Sequence, residues 1–199
     1  MSDLRNKGYQ ENNNRPAFGS ETSETSKIEK LVVQAVNGNT DAFGDLYIIF
    51  VEKIYRYVFY QIKSKTAAED ITGEVFLKVW RAISSCRGKE NAFSPWLYRI
   101  AHNQLVDEIR KRHRRPSLEL DNVETISDSE NSVERYSEKQ ELLQLIDRLP
   151  SNQRQVIILK FIEGMDNREI AEITGKSEGA LRVMQMRALA ALRKELGKE

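Results

Sequence analysis

The residues best suited to chemistry in this sequence are cations that can bind phosphates. Five arginine or lysine residues lie within the six positions from Arg110 to Arg115, and His113 is the sixth. Cations at a helix C-terminus stabilise it by about 0.3 to 1 kcal/mol each, which is one explanation of such a cluster. Five full charges exceed that need, so the cluster indicates binding to nucleic-acid phosphates.

The side chains that usually perform catalysis or bind metals are sparse and scattered. His102 and His113 are the only histidines, and Cys86 is the only cysteine. None has carboxylates or cysteines around it at metal-ligand spacing, and neither a phosphate loop nor a nucleophile motif is present. We therefore predict that the protein is not an enzyme and has no catalytic residue, metal site or cofactor. Cys86 lacks a visible activating neighbour, so an incidental position is favoured over a redox sensor.

A second set of candidate DNA-binding residues lies near the C-terminus. Asp166 and Glu169 have the spacing of a capping box, and Gly175 stands where a helix end needs a left-handed residue. Ser177 can then cap the next helix. A short helix, a glycine turn and a second helix form the helix-turn-helix pattern, whose second helix enters the major groove of DNA.

The second helix of this pattern has two distinct faces. At helical spacing, one face carries the apolar residues Leu181, Met184, Ala188 and Leu192, which should pack inward. The opposite face carries Gly179, Arg182, Val183 and Met186. Arginine can read guanine edges and apolar atoms can contact thymine methyl groups, so this face suits a DNA groove. Spacing alone also allows an ordinary helical hairpin with an incidental arginine.

The C-terminal residues resemble region 4 of the sigma-70 family of RNA polymerase sigma factors. The resemblance is carried by residues 149–156 (LPSNQRQV), 163–165 (EGM), 169–173 (EIAEI) and 179–182 (GALR). It implies that this part reads the −35 promoter element and contacts the polymerase β flap. The candidate −35 contacts are Arg154, Ser177, Arg182, Val183, Met186 and Arg187. Residues 183–185 (VMQ) replace a Ser-Arg-Leu type of triplet, which leaves the base preference open.

An upstream helix carries a face of another kind. Asp70, Gly73, Glu74, Leu77 and Arg81 share one side by their spacing, and charge that keeps the helix soluble would explain that side alone. However, residues 68–80 (AEDITGEVFLKVW) resemble sigma region 2.2. The resemblance implies that Asp70 and Glu74 bind the polymerase β′ clamp with Leu77 as an apolar anchor. Gly73 departs from a common Gln, which is expected to weaken the contact or the helix.

The next stretch, residues 91–103 (NAFSPWLYRIAHN), resembles sigma regions 2.3 and 2.4. The resemblance implies that it holds the −10 element and captures a base flipped out of the duplex, with the loop 84–91 forming the pocket. The candidate −10 contacts are Arg99, Asn103, Asp107, Arg110 and Arg112. We expect Trp96 to pack in the core, and Tyr98 is suited to either the core or the DNA strand.

Helical periodicity surrounds these motifs and predicts an all-α fold. We expect two small helical domains joined by a flexible acidic linker, with Asp41 capping the second helix. The predicted divisions are a disordered tail over 1–26, a region 2-like domain over 27–115, the linker over 116–134 and a region 4-like helix-turn-helix domain over 135–199. The linker contains six acidic residues and neither lysine nor arginine. Without the family resemblance, this composition indicates simple disorder, whereas the resemblance implies that the linker imitates nucleic acid in a basic channel.

Bulk properties are consistent with a protein that does not enter a membrane. The 31 basic residues balance 30 acidic ones, so net charge indicates no partner. No apolar run is long enough to span a membrane, and no apolar signal segment opens the chain. We predict a cytoplasmic protein without membrane insertion.

Two motif sets in this order resemble the extracytoplasmic-function group of sigma factors. The resemblance implies a transcription initiation factor that binds core RNA polymerase at its β′ clamp and β flap, recognises −10 and −35 promoter DNA, and helps open it. It also implies control by an anti-sigma factor. The main alternative is a stand-alone helix-turn-helix regulator that acts without polymerase. A third is an interaction protein that has kept the shape and lost promoter function, which Gly73 leaves open.

Overall fold

The computed structural model describes residues 21–114 and 142–197, and within these ranges it contains helices and no strand. The numbered α-helices are α1 (Glu21–Val36), α2 (Thr40–Ile62), α3 (Lys65–Ala82), α4 (Phe93–Arg114), α5 (Ser151–Ile157), α6 (Asn167–Thr174) and α7 (Glu178–Leu196). Residues 142–147 are also helical. The predicted all-α class is confirmed for this part of the chain. The predicted linker over 116–134 lies outside the described residues.

Residues 21–114, here called the N-terminal half, form a helical bundle whose helix ends are fixed by specific residues. Asn39 caps α2 by accepting a hydrogen bond from the Ala42 amide at 3.1 Å, so the cap precedes the predicted Asp41. Lys63 ends α2 with φ 56°, and Ser64 caps α3. The turn between these two helices is therefore short. Helix α1 begins at Glu21, before residue 27, where the sequence predicted the first domain to begin.

The core of the N-terminal half is built from regularly spaced apolar and aromatic residues. Helices α2, α3 and α4 supply most of it: Leu46, Phe50, Ile54, Ile71, Val75, Val79, Phe93, Leu97, Ala101 and Leu105. The rings of Phe50 and Phe93 meet edge to face at 5.5 Å between centroids. Edge-to-face pairs add to the free energy gained by burial, so they help to fix how α4 lies on α2.

Residues 142–197, here called the C-terminal half, contain the helix-turn-helix. Asp166 and Glu169 form a complete capping box at the start of α6, and Gly175 ends that helix with φ 68°. Ser177 caps α7 by accepting from the Ala180 amide at 3.3 Å. The turn chemistry predicted from the sequence is therefore confirmed. Ile170 and Leu181 are completely buried where α6 meets α7.

A π turn follows α5 and changes the direction in which the side chains after it point. Over Ile158–Ile162 the backbone forms turns wider than those of an α-helix, and the Glu163 amide donates a hydrogen bond to the Ile158 carbonyl at 3.0 Å. Ile158 and Leu159 stay buried, whereas Phe161 is exposed. π turns inside helices frequently lie at functional sites. Here the turn directs Glu163 toward the N-terminal half.

Candidate polymerase and nucleic-acid interfaces

Helix α3 presents an acidic and apolar surface to solvent. Asp70, Glu74 and Leu77, here called the docking face, are all exposed, and Leu77 is 56% exposed. A single exposed apolar side chain is common on protein surfaces, so a contact surface at Leu77 beside the two carboxylates stays a prediction. Glu74 also accepts a hydrogen bond from the buried Gln104 of α4, which fixes the carboxylate on the helix. The three predicted residues lie together on one surface.

Gly73 lies within the docking face and has no structural need to be glycine. It is exposed and helical, and a Cβ built on it would meet nothing within 4 Å. The residue therefore costs helix stability without any packing advantage. It also leaves more space beside Glu74 than a longer side chain would.

The candidate −10 residues line the exposed side of α4. Arg99, Asn103 and Asp107 follow one another at a spacing of four, and Arg110 and Arg112 continue toward the end of the helix. Asp107 pairs with Arg110 at 3.9 Å, while Glu108 pairs with Arg112 at 3.4 Å. Exposed pairs of this kind are weak, so phosphates can compete for the same cations. All five predicted residues are accessible in the structure.

A cavity of about 330 Å³ lies where the loop before α4 meets that helix. Its lining, here defined as the α4 cavity, consists of Ser85, Cys86, Lys89, Ala92, Pro95, Trp96, Arg99 and Glu172. A left-handed Gly88 bends the loop, and its amide donates to the Glu90 carboxylate at 2.8 Å. Backbone hydrogen bonds from Glu90 and Gly88 lower the pKa of the Glu90 carboxyl group. The volume lies in the range of small-molecule sites, and the lining brings the Trp96 ring together with the cations Lys89 and Arg99.

The sequence predicted a separate role for each of Trp96, Tyr98 and Cys86, and the structure shows where each side chain lies. Trp96 is half-buried: it packs against Phe93 at 5.9 Å and also lines the α4 cavity. Tyr98 is buried against Tyr57 at 5.5 Å, so of the two roles open to it the core role applies. Burial raises the pKa of the Cys86 thiol to about 11, so the thiol is protonated near neutral pH. A protonated thiol is a poor nucleophile, which agrees with an incidental position.

Helix α7 divides into the two predicted faces. Leu181, Ala188 and Leu192 are buried. The exposed candidates for −35 contacts on this helix are Arg182, Val183, Met186 and Arg187. Met186 is 64% exposed and Val183 is 42% exposed, so both apolar side chains are accessible to a partner. Ser177 lies at the helix N-terminus, where free backbone amides favour phosphate.

Arg154 lies apart from the other −35 candidates. Its guanidinium group donates to the backbone carbonyls of Asp147 at 2.7 Å, Tyr60 at 3.1 Å and Leu149 at 3.2 Å. The side chain is therefore partly buried and joins α5 to the end of α2. Sequence spacing gave no indication of this role, because Tyr60 is distant in the chain. Its contact with DNA stays a prediction.

A polar cluster between the two halves was not anticipated from the sequence. The Gln155 amide donates to the Tyr57 hydroxyl at 2.8 Å and lies 2.5 Å from Nδ1 of His102. Tyr98 donates to the Glu163 carboxylate. Burial raises the pKa values of Tyr57, Tyr98 and Glu163. Burial, with a smaller contribution from Lys176, lowers the pKa of His102, so this histidine is neutral at pH 7.

Each half of the chain matches a known protein family. Residues 46–115 match Sigma-70 region 2, and residues 139–192 match Sigma-70, region 4. Two solved structures share the fold: CnrH in complex with the cytosolic domain of CnrY, and the sigma factor RpoE in complex with the anti-sigma factor NepR from Bartonella quintana. Their TM-scores are 0.64 and 0.67, with 23% and 21% identity. They cover 87% and 79% of this chain, and 99% and 98% of those chains.

Curated relatives cover both halves at once. The ECF RNA polymerase sigma factor BldN of Streptomyces coelicolor is 33% identical over 174 residues, which is 85% of this chain and 66% of BldN. SigW of Bacillus subtilis is 33% identical over 183 residues, 85% of this chain and 96% of SigW. The ECF sigma-E factor of Escherichia coli K12 is 31% identical over 182 residues, 85% and 94% of the two chains. The chain therefore belongs to the extracytoplasmic-function sigma factors of the sigma-70 family, which are non-enzymatic initiation factors that direct RNA polymerase to promoters.

Proposed function

We propose that this chain binds core RNA polymerase and places it on promoters by contacting a −10 and a −35 element, and that it helps to open the DNA. The observation that carries the proposal is the presence of three accessible surfaces on one chain: the docking face of α3, the polar side of α4 and the outer side of α7. A stand-alone regulator needs only the last of these. That alternative is therefore not favoured.

The docking face would bind the β′ clamp of the polymerase. Asp70 and Glu74 supply two carboxylates for basic residues of the partner, and exposed Leu77 supplies the apolar contact between them. Interfaces of this kind gain most of their affinity from a few anchors that become desolvated on binding. The C-terminal half would contact the β flap.

The −10 strand would follow α4. Arg99, Arg110 and Arg112 lie along the helix for the phosphates, and Asn103 and Asp107 offer polar groups for base edges. The α4 cavity would accept an unstacked base, since it combines Trp96 with Lys89 and Arg99. Duplex opening then gains free energy from capture of the displaced strand.

The −35 element would be read by α7 in the major groove. Ser177 would lie near a phosphate, while the side chains of Arg182, Val183 and Met186 face the bases. Arg187 and Arg154 are assigned to the DNA backbone. Arg154 would have to give up its contact with the Tyr60 carbonyl to do so.

Domain organisation, partners and location complete the proposal. We retain the predicted domains over 27–115 and 135–199 and the linker over 116–134, with the first helix beginning at Glu21 inside the predicted tail over 1–26. RpoE is bound to the anti-sigma factor NepR in its solved structure, and a protein of that class is proposed to control this chain. None of the helices within residues 21–114 and 142–197 is long and apolar enough to cross a membrane. A cytoplasmic location would give access to core polymerase.

Run-off transcription tests the proposed function directly. Purified chain is added to core polymerase on a pool of genomic promoter fragments, and transcript start sites are mapped. We expect a set of start sites that appears only with the chain and shares a −10 and a −35 sequence. Duplex binding by the free chain without any chain-dependent transcript would instead support the stand-alone regulator.

A further inference from the structure

Gln104 is a buried glutamine on the side of α4 that otherwise supplies apolar residues to the core. The residue is only 6% exposed, and its neighbours Ala101 and Leu105 belong to that core. A buried amide without hydrogen-bond partners destabilises a protein, so an amide in this position must be matched by partners. Both polar groups of Gln104 find their partners on α3.

The two partners of Gln104 carry opposite charges. Its Nε2 donates a hydrogen bond to the Glu74 carboxylate, and its Oε1 accepts one from the Lys78 ammonium group. Gln104 therefore lies between an anion of the docking face and a cation one turn further along α3. Only an amide side chain offers a donor and an acceptor in this arrangement without carrying a charge of its own.

The spacing of Glu74 and Lys78 favours a direct ion pair. Glutamate followed four residues later by lysine is the order that stabilises a helix best, and a pair at this spacing does form between Glu52 and Arg56 on α2 at 3.6 Å. In the part of the chain that the structure describes, Glu74 and Lys78 instead contact Gln104, and no ion pair joins them directly. The amide thus keeps the cation away from the carboxylate.

This arrangement preserves the charge that the docking face presents to a partner. A lysine ammonium group bound directly to Glu74 would neutralise the carboxylate, and a cation of the polymerase would first have to displace it. A neutral amide fixes the carboxylate and leaves its negative charge available. Gly73 precedes Glu74 in the chain and has no side chain to perform this task from α3 itself.

We propose that Gln104 is a positioning residue for polymerase binding, which holds the Glu74 carboxylate in place and prevents Lys78 from neutralising it. The inference rests on the proposed function, because it concerns the same docking face. It also makes α4, the helix assigned to the −10 strand, a contributor to polymerase binding through α3. A role confined to joining α3 to α4 would not depend on the charge of Lys78.

The affinity of the full chain for core polymerase tests this role. Gln104→Met removes both polar groups, keeps an unbranched side chain of similar length and leaves Lys78 to pair with Glu74. Because that exposed pair must be broken before binding, we expect affinity to fall roughly threefold to fivefold. The measurement is a titration of labelled chain, with melting temperature as the check on folding. Unchanged affinity would overturn the proposal.

Addition of Lys78→Gln to Gln104→Met is the decisive step. Removal of the ammonium group frees Glu74, so affinity should return to within about twofold of the wild type. Lys65→Gln is the matched control, because Lys65 is also an exposed lysine of α3 and lies more than two turns before Glu74. It makes the same change in net charge and should not restore affinity.

Two results of this comparison would overturn the proposal. Equal recovery with both lysine variants would show that net charge alone governs the effect. A loss that neither variant restores would show that Gln104 has only a structural role. Lys78→Gln by itself should bind core polymerase within about twofold of the wild type, because Gln104 still holds Glu74.

Urea unfolding of the free chain examines the same arrangement without polymerase. A double-mutant cycle of Glu74→Gln and Lys78→Gln measures the coupling between the two charges. We expect attractive coupling that is larger in the presence of Gln104→Met, and coupling of the same size with and without that substitution would overturn the proposal. Absence of any binding of the wild type to core polymerase would reject the proposed function, while this cycle would still decide whether Gln104 separates the two charges.

Discussion

The two carboxylates of the docking face provide the most direct test of polymerase binding. Asp70→Arg combined with Glu74→Arg reverses both charges on an exposed surface, so the fold should stay intact. We expect core polymerase affinity to fall at least about tenfold, equivalent to 1.4 kcal/mol. The measurement is a titration of labelled chain with core polymerase, with melting temperature as the check on folding.

Glu69→Arg is the control for this experiment. Glu69 is an exposed neighbour on the same helix but lies outside the docking face. Its reversal should change core affinity little. Because Glu69→Arg changes the net charge by half as much, a free-energy loss of about half that of the double variant would show that net charge, and not the docking face, governs binding.

Glu163 makes the stability of the chain depend on pH. Burial raises the pKa of its carboxyl group above the usual 4.5, against the lowering effects of Tyr98, Arg56 and Lys53. The folded chain therefore holds the proton more tightly, and this stabilisation is present below pH 4.5 and lost as pH rises through the raised pKa. Glu163→Gln keeps an oxygen that can accept the hydrogen bond from the Tyr98 hydroxyl. It has no titrating carboxyl group, so this loss of stability with rising pH should disappear.

Urea unfolding at several pH values measures the effect. The free energy of unfolding of Glu163→Gln, minus that of the wild type, should increase from pH 4.5 toward neutral pH. His102, whose pKa is lowered by burial, is present in both proteins and cancels in the difference. A difference that stays constant over this range would contradict a raised pKa for Glu163.

At the scale of helices, the two glycines Gly73 and Gly175 should respond in opposite ways to alanine. Gly73 is helical with open space around it, so Gly73→Ala should raise the free energy of unfolding by about 1 kcal/mol. Gly175 has φ 68°, where a side chain costs about 1–2 kcal/mol, so Gly175→Ala should destabilise the chain. Denaturant titration of both variants compares these values, and changes of the same sign would contradict the assignment.

The recognition helix has its own test. Arg182→Ala should weaken use of the −35 element by about 1–3 kcal/mol if the arginine makes a bidentate contact with a base. Arg193→Ala, at the far end of α7, is the control. Promoter competition with intact and scrambled −35 sequences measures the loss. An unchanged preference for the intact element would remove Arg182 from the set of base contacts.

The local structure of these helices could be predicted from the sequence because its causes are local. The capping box at Asp166, the left-handed Gly175 and the faces of α7 each depend on residues within one or two turns. The cap of α2 was placed at Asp41 and lies at Asn39, since both residue types can cap and only the backbone decides between them.

The contact between the halves could not be predicted in the same way. Gln155 meets Tyr57, and Glu163 meets Tyr98, across long intervals of sequence with no periodic signal. Arg154 illustrates the limit most clearly. Its side chain type and position suited DNA, whereas the structure commits its hydrogen bonds to three backbone carbonyls. The positions of the docking face and of α4 were predicted, while the contribution of Glu172 to the lining of the α4 cavity was not.

For the whole molecule, the cations of α4 should make DNA binding steeply dependent on salt. Each phosphate contact with a single strand contributes roughly 0.7 to the slope of log affinity against log salt concentration. Arg110→Ala with Arg112→Ala should therefore reduce that slope by about 1.4 in the polymerase-bound chain. Affinities of the holoenzyme for promoter DNA opened at −10, measured at several salt concentrations, test this value. A parallel line with lower affinity would mean that neither arginine contacts a phosphate.

The π turn over Ile158–Ile162 sets the helical register that places Glu163 against Tyr98 of the N-terminal half. One residue in an α-helix turns the following side chains by about 100°. The wide turn accommodates about one residue more than a regular helix would, so if residues 158–162 closed α-turns, Glu163 would rotate away from Tyr98 while every side chain of that contact remained in the sequence. Loss of the wide turn without loss of a residue would thus break this contact as effectively as a substitution, whereas a chain one residue shorter here with a regular helix would keep Glu163 in place.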